Sequence, residues 1–150
     1  MNVDTRIAYK DAGGNVSIVT PTPEFIENGG TMAQFLEQPL PEGAIFEVLH
    51  KDNIPTDRYF RNAWKLDGNK VDIDRAKAEK IHMDNLRKVR DDRLKVEDIE
   101  YQKALEMRDD AKMNAVANRK KKLRDMPMET DLSGLSLEDL KLFKPEVLEG

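Results

Sequence analysis

The chain has 150 residues, 39% of them hydrophobic and 36% charged, with a formal net charge of −4. Ordinary globular chains carry roughly 45–50% apolar and about 25% charged residues, so the core is small for the length. The lack of cysteine excludes disulfides, thiolate metal sites and cysteine nucleophiles, and no apolar run approaches the ~18 residues that span a membrane.

Residues 6–10 and 15–20 are rich in β-formers, and Asp11-Ala12-Gly13-Gly14 between them is a turn signal. The pair is expected as a β-hairpin, ended by Pro21 and Pro23, since proline cannot donate to a ladder. Residues 24–30 read as loop. Thr31 is placed to cap a short helix over 32–37, with Gln34 at its third position; Pro39 and Pro41 stop it. In residues 44–50, Ile45, Glu47 and Leu49 alternate with Phe46, Val48 and His50, the pattern of a third strand with at least one buried face. After a turn at 53–57, residues 58–66 read as a strand with Phe60, Asn62, Trp64 and Leu66 on one face. Asp67-Gly68-Asn69 turns into a brief return strand at 70–73. Residues 1–73 thus make a small α+β module of three to five strands and one short helix.

The character changes at residue 74. Asp74 can cap a helix, and no Pro or Gly occurs between Asp74 and Met126. Ala78, His82, Leu86, Val89 and Arg93 follow helical spacing, widened by Ile81 and Leu94. A second stripe runs from Tyr101 and Ala104 through Leu105, Arg108, Ala111, Ala115, Val116 and Arg119 to Leu123. These stripes fit a helical hairpin or one rod of about 50 residues, roughly 75 Å long. The phase slips near 95–100, which favours a hairpin turning at Val96-Glu97-Asp98. Pro127 ends the helical region over 74–126. In the remaining segment, 127–150, Ser136 begins a last helix, Leu137 to Phe143, and the rest is expected to be mobile.

Charge is unevenly spread: −3 over residues 1–70, +3 over 71–126 and −4 over 127–150. An acidic chain is a poor general nucleic-acid binder. Arg119-Lys120-Lys121-Lys122, with Arg124 nearby, is the strongest candidate for such binding. It has no interleaved aromatic residue for base stacking, and cations near a helix C-terminus also oppose the macrodipole. The two histidines, His50 and His82, form no ligand pair, since position 86 is Leu. Gly13-Gly14 and Gly29-Gly30 read as turns, and no phosphate loop or nucleophile motif is present. Asp91-Asp92 and Asp109-Asp110 read as charged surface, because helix neighbours do not face one another.

The densest information lies in Asp57-Arg58-Tyr59-Phe60-Arg61-Asn62-Ala63-Trp64, where two arginines flank an aromatic pair beside the single tryptophan. Arginine and aromatics are frequent interface anchors. Arg58, Phe60, Arg61 and Trp64 are therefore candidates for a partner contact or a module junction. Leu137, Leu140 and Phe143 are candidates for docking the last helix on the body or on a partner.

Taken in order, Val19-Thr20-Pro21, residues 53–64, Asp74, Lys77-Ala78, Ile81-His82 and Leu123-Arg124-Asp125-Met126-Pro127 resemble a group of poorly characterised bacteriophage proteins associated with tail genes. The likeness covers most of the chain. Residues 120–127 also look like the C-terminal end of phage tail and tail-fibre assembly chaperones, in which a basic helical segment closes a two-helix region. The chain departs from that group in having Val96-Glu97-Asp98-Ile99 where a Thr-Asp-Trp element commonly joins the helices.

The expected fold is α+β: a small antiparallel sheet with one short helix, then a charged helical hairpin and a short C-terminal helix. The resemblance implies a non-enzymatic tail-module protein of the virion that needs no cofactor or metal. Other tail or tail-fibre proteins are its expected partners, with self-association of its polar helices and no membrane. It would reside in the virion or in the cytoplasm of the infected host, since residues 1–11 have no apolar signal-peptide core. An assembly chaperone absent from the finished particle is the alternative, and a small nucleic-acid-binding regulator resting on residues 119–124 is the third.

Overall fold

The computed structural model describes residues 1–149. The fold is α+β, as expected, and the chain divides between Ala78 and Glu79 into two compact units.

In the first unit, β1 (Thr5–Lys10) is the central strand of an antiparallel sheet, flanked by β2 (Val16–Val19) and β3 (Ile45–His50). The β1–β2 turn closes through Gly14 N–H on the Asp11 carbonyl at 3.1 Å, and Asn15 N–H donates to Asp11 Oδ1 at 3.0 Å. Gly14 sits at φ 83°, a left-handed conformation that glycine enters without a Cβ penalty. The remaining strands, β4 (Trp64–Asp67) and β5 (Lys70–Ile73), form a separate two-stranded sheet around Gly68. Ala8, Val16 and Leu49 of the first sheet and Trp64 and Val71 of the second share one buried cluster, with Ile18, Ile54, Leu66 and Ile73 packed against it. The strands predicted for one sheet are therefore split over two that share a core.

Three local expectations are corrected in this unit. Residues 24–30 are not all loop: Pro23–Glu27 forms helix α1. Thr22 caps it by accepting from Phe25 N–H at 3.1 Å, and Pro23 occupies the first turn, where its missing N–H costs nothing. Helix α2 (Met32–Leu36) carries the expected capping box, with Thr31 Oγ1 accepting from Gln34 N–H and Gln34 Oε1 accepting from Thr31 N–H. Residues 58–63 are not strand. Arg61 N–H bonds the Arg58 carbonyl and Ala63 N–H the Phe60 carbonyl, so a 3₁₀ turn (Arg61–Ala63) uses the groups a ladder would need. Asn62 consequently lies exposed instead of sharing a face with Phe60. Finally, β3 is mostly exposed, with Leu49 its one buried side chain.

Between α1 and α2 the chain passes close to its own aromatic ring. Gly30 N–H bonds the Phe25 carbonyl at 2.9 Å, and a Cβ at Gly30 would run into the Phe25 ring, which itself packs on Phe35. Gly30→Ala should therefore destabilise the first unit by about 1–3 kcal/mol, measured by denaturant unfolding. A neutral result would show that the ring simply rotates away.

Helix α3 (Arg75–Glu106) starts at Asp74, whose Oδ1 accepts from Lys77 N–H at 3.2 Å. Helices α4 (Asp110–Glu129) and α5 (Leu137–Leu142) and a 3₁₀ turn (Glu146–Leu148) complete the second unit. The hairpin is present, but it turns at Met107-Arg108-Asp109 and not at 96–98. Arg108 N–H bonds the Leu105 carbonyl at 3.1 Å and Asp109 N–H the Ala104 carbonyl at 2.9 Å. That bond pair is a Schellman motif, with Arg108 at φ 54° in the place usually held by glycine. Asp109 then caps α4 by accepting from Lys112 N–H at 3.0 Å. Arg108→Gly relieves the Cβ strain and should raise the stability of the helix pair by up to about 1 kcal/mol. A loss of stability in thermal melts would show that the arginine side chain contributes more than its backbone costs.

Pro127 lies inside α4 and does not end it. Its ring removes the donor for the Leu123 carbonyl and crowds that oxygen. The helix continues because Leu123 and Met126 are buried on its inner face, and Thr130 Oγ1 donates to the Met126 carbonyl at 2.7 Å. The tail is anchored, contrary to its polar composition: Leu148 is fully buried and its turn packs on α4.

Candidate functional site

The aromatic–arginine segment divides by burial. Phe60 and Trp64 belong to the interior of the first unit, whereas Arg58 and Arg61 are exposed. Asp57 Oδ1 accepts from Tyr59 N–H at 2.9 Å, and the Tyr59 and Phe60 rings meet edge to face at 4.7 Å. Trp64 is 4% exposed, and its Nε1 is buried without a hydrogen-bond partner. The aromatic members thus stabilise the unit from inside, and only the arginines are free to meet a partner.

Leu140 is completely buried and Leu137 and Phe143 are half-buried. Ser136 Oγ accepts from Asp139 N–H at 3.0 Å to start α5. The short helix docks on its own chain. His82, buried on α3, places Nε2 2.8 Å from the Phe143 carbonyl. A carbonyl only accepts, so Nε2 carries the proton and donates. The ring is thus a strut between α3 and the end of α5.

The basic run on α4 has partners that sequence spacing does not reveal. Arg119 meets the Glu97 carboxylate with Nε at 3.1 Å from both oxygens, and Lys120 reaches Asp98 at 2.6 Å. Lys120 also lies over the Tyr101 ring, 5.4 Å from its centre. Lys121 pairs with Asp125 at 3.7 Å. Two of the five cations of the candidate nucleic-acid patch, Arg119 and Lys120, therefore serve to align α4 antiparallel to α3, and Lys121 is paired within α4.

Ion pairs on the helices, most of them within α3, give a pH dependence. Glu100 accepts from Lys103 at 3.2 Å and faces Lys112 of α4 at 3.5 Å, and these cations hold its carboxyl below the usual range. Lys80 at 2.8 Å and Arg87 at 3.0 Å do the same for Asp84. Both folded-state pKa values lie below the unfolded ones. Their contribution is complete above the ordinary carboxylate range and is lost as pH falls through the depressed values. Thermal melts should show the second unit weakening on acidification below about pH 4, with Glu100→Gln flattening the response. Equal acid sensitivity in Glu100→Gln would assign the effect to other carboxylates.

Two surfaces escaped the sequence reading. On β3, Ile45, Phe46 and Val48 are 65%, 49% and 43% exposed. Their alternation marked the strand, but alternation cannot say that the strand stands at the edge of the sheet. In the second unit, Arg93, Val96, Leu123 and Val147 line a groove of about 330 Å³ between α3, α4 and the C-terminal turn. The sequence offered no sign that residue 147 returns to α4. Among the described residues no cluster of three or more acidic, histidine or cysteine side chains could hold a metal ion, and no helix is long and apolar enough to cross a membrane.

Comparison with protein-family models, curated proteins and solved structures finds no match to this chain.

Proposed function

We propose that the chain is a non-enzymatic bacteriophage tail-module protein that acts by protein–protein binding, as an accessory or connecting component of the tail or tail fibre. The observation that carries the binding reading is the exposed apolar strand β3. Phe46 and Val48 project from one face of this edge strand and Ile45 from the other, all largely exposed, and exposed large apolar side chains grouped in this way mark contact surfaces. The tail assignment rests on the sequence resemblance across residues 19–21, 53–64, Asp74, Lys77-Ala78, Ile81-His82 and residues 123–127. Mass spectrometry of purified particles against infected-cell lysate tests it. The protein should be found in the particle at fixed stoichiometry. Abundance in the lysate with none in the particle would overturn the structural role.

That outcome would promote the second reading, a tail or tail-fibre assembly chaperone that departs before maturation. The helix pair favours it specifically: the basic segment 120–127 lies in the C-terminal half of α4, the second helix of a two-helix region, near the placement that the chaperone resemblance implies.

A further inference from the structure

We propose that the groove between α3, α4 and the C-terminal turn is a docking site for a short acidic segment of a partner protein, which seats one aliphatic side chain on the groove floor and its carboxylates on Arg93 and Lys122. The site lies wholly within the second unit. It is separate from β3 and does not depend on it.

The floor is apolar. Val96 of α3, Leu123 of α4 and Val147 of the C-terminal turn all line the groove. Val96 is 58% exposed, although Leu123 in the same groove is buried. The volume of about 330 Å³ stands at the lower end of the range for small-ligand sites, so it takes one or two side chains and not a whole helix. Lys122 and Val147 also line an adjoining hollow of about 580 Å³ with polar walls, Asn118 and Asp125 among them. An extended peptide can follow both hollows, whereas a compact molecule fills one.

The charge of the occupant follows from which cations are already paired. Arg119 is held by Glu97, Lys120 by Asp98 and Lys121 by Asp125. Arg93 and Lys122, which line the groove, have no carboxylate partner among the described residues. Arg93 is half-buried, and its guanidinium carries five donors and no acceptor. With Glu97 committed to Arg119, Glu149 is the one other acid on the lining, so two free cations stand against one exposed carboxylate. An acidic segment complements that excess, and an ion pair beside an apolar floor is screened less than one in open water. No aromatic side chain lines the groove, so a nucleic-acid base has nothing to stack on there.

Titration of the labelled full chain with the peptide acetyl-Asp-Glu-Leu-Glu-Asp-amide at millimolar concentration, followed by amide NMR, tests the site. Shifts should concentrate at residues 93–97, 119–123 and 147–149. Arg93→Gln and Lys122→Gln should each weaken the peptide about two- to fivefold, the worth of an exposed ion pair, and Glu149→Gln should tighten it by a similar factor. Replacing the peptide's leucine by serine should abolish the shifts at Val96 and Leu123. Lys122 and Glu149 are exposed, so their variants keep the test open if Arg93→Gln loses its circular dichroism. No shifts in these residues, equal binding of a peptide with lysine in place of every acid, or indifference to both Lys122→Gln and Glu149→Gln would overturn the proposal. An oligothymidylate that shifts the same residues at lower concentration would overturn it in favour of nucleic acid. Dilution of the chain alone that moves these residues would give the groove to a second copy and overturn it likewise.

Discussion

Trp64→Ala should lower the stability of the first unit by about 3 kcal/mol or more, the usual cost of deleting a large buried aromatic side chain. Trp64 is 4% exposed and sits where the two small sheets meet, against Ala8, Val16, Leu49 and Val71. None of these neighbours is large enough to refill the space. The indole also carries a buried N–H with no acceptor, and such an orphan donor costs about 1–3 kcal/mol. Trp64→Phe removes the donor while keeping most of the apolar surface, so it should cost far less than Trp64→Ala. Urea unfolding followed by circular dichroism checks both variants. A loss below about 0.5 kcal/mol for Trp64→Ala would place the ring outside the core. Equal losses for the two variants would mean that the N–H is satisfied in solution.

Leu140→Ala should release the C-terminal segment. Leu140 is completely buried, and a buried leucine truncated to alanine costs about 2–5 kcal/mol. Helix α5 is too short to persist without its contacts. Its loss also takes away the Phe143 carbonyl that His82 holds at 2.8 Å. Amide exchange should therefore accelerate across residues 137–148, with slower exchange retained in α3 and α4. Leu142→Ala is the control, because that side chain is 78% exposed and should shift stability by less than about 0.5 kcal/mol. Equal protection of residues 137–148 in wild type and Leu140→Ala would show that the tail is held by something other than this side chain.

Local chemistry made part of the fold legible. The Gly14 turn, the Thr31–Gln34 capping box, the Asp74 cap and the Ser136 cap each show as residue types whose side chains or φ angles admit few alternatives. The hairpin was legible from its two stripes, but its turn was not. A Schellman motif usually announces itself with glycine, and here Arg108 takes the left-handed position. Asp109-Asp110 read as charged surface, although Asp109 is the cap that starts α4. Pro127 misled in the opposite direction, since a proline two residues before a helix end disturbs one hydrogen bond, a cost that the buried Leu123 and Met126 outweigh.

The candidate site was less legible, for a tertiary reason. Phe60 and Trp64 were singled out with Arg58 and Arg61, yet burial separates the aromatics from the arginines. The strand with the most exposed apolar surface was expected to have a buried face. Period-two alternation is identical for a central and an edge strand, and only strand order distinguishes them. In the same way, Arg119 and Lys120 looked free until α3 supplied Glu97 and Asp98. Pairing across a helix hairpin depends on where the turn falls, and the turn was the element most poorly signalled.

The most direct test of binding through β3 is particle incorporation of a Phe46→Lys, Val48→Lys double variant, quantified by mass spectrometry beside the wild-type chain. Both positions are about half exposed, so the variant should keep its circular dichroism and melting behaviour. The account predicts wild-type protein at fixed copy number in the particle and the variant folded in the lysate but missing from the particle. Incorporation of the folded variant at the wild-type copy number would contradict it.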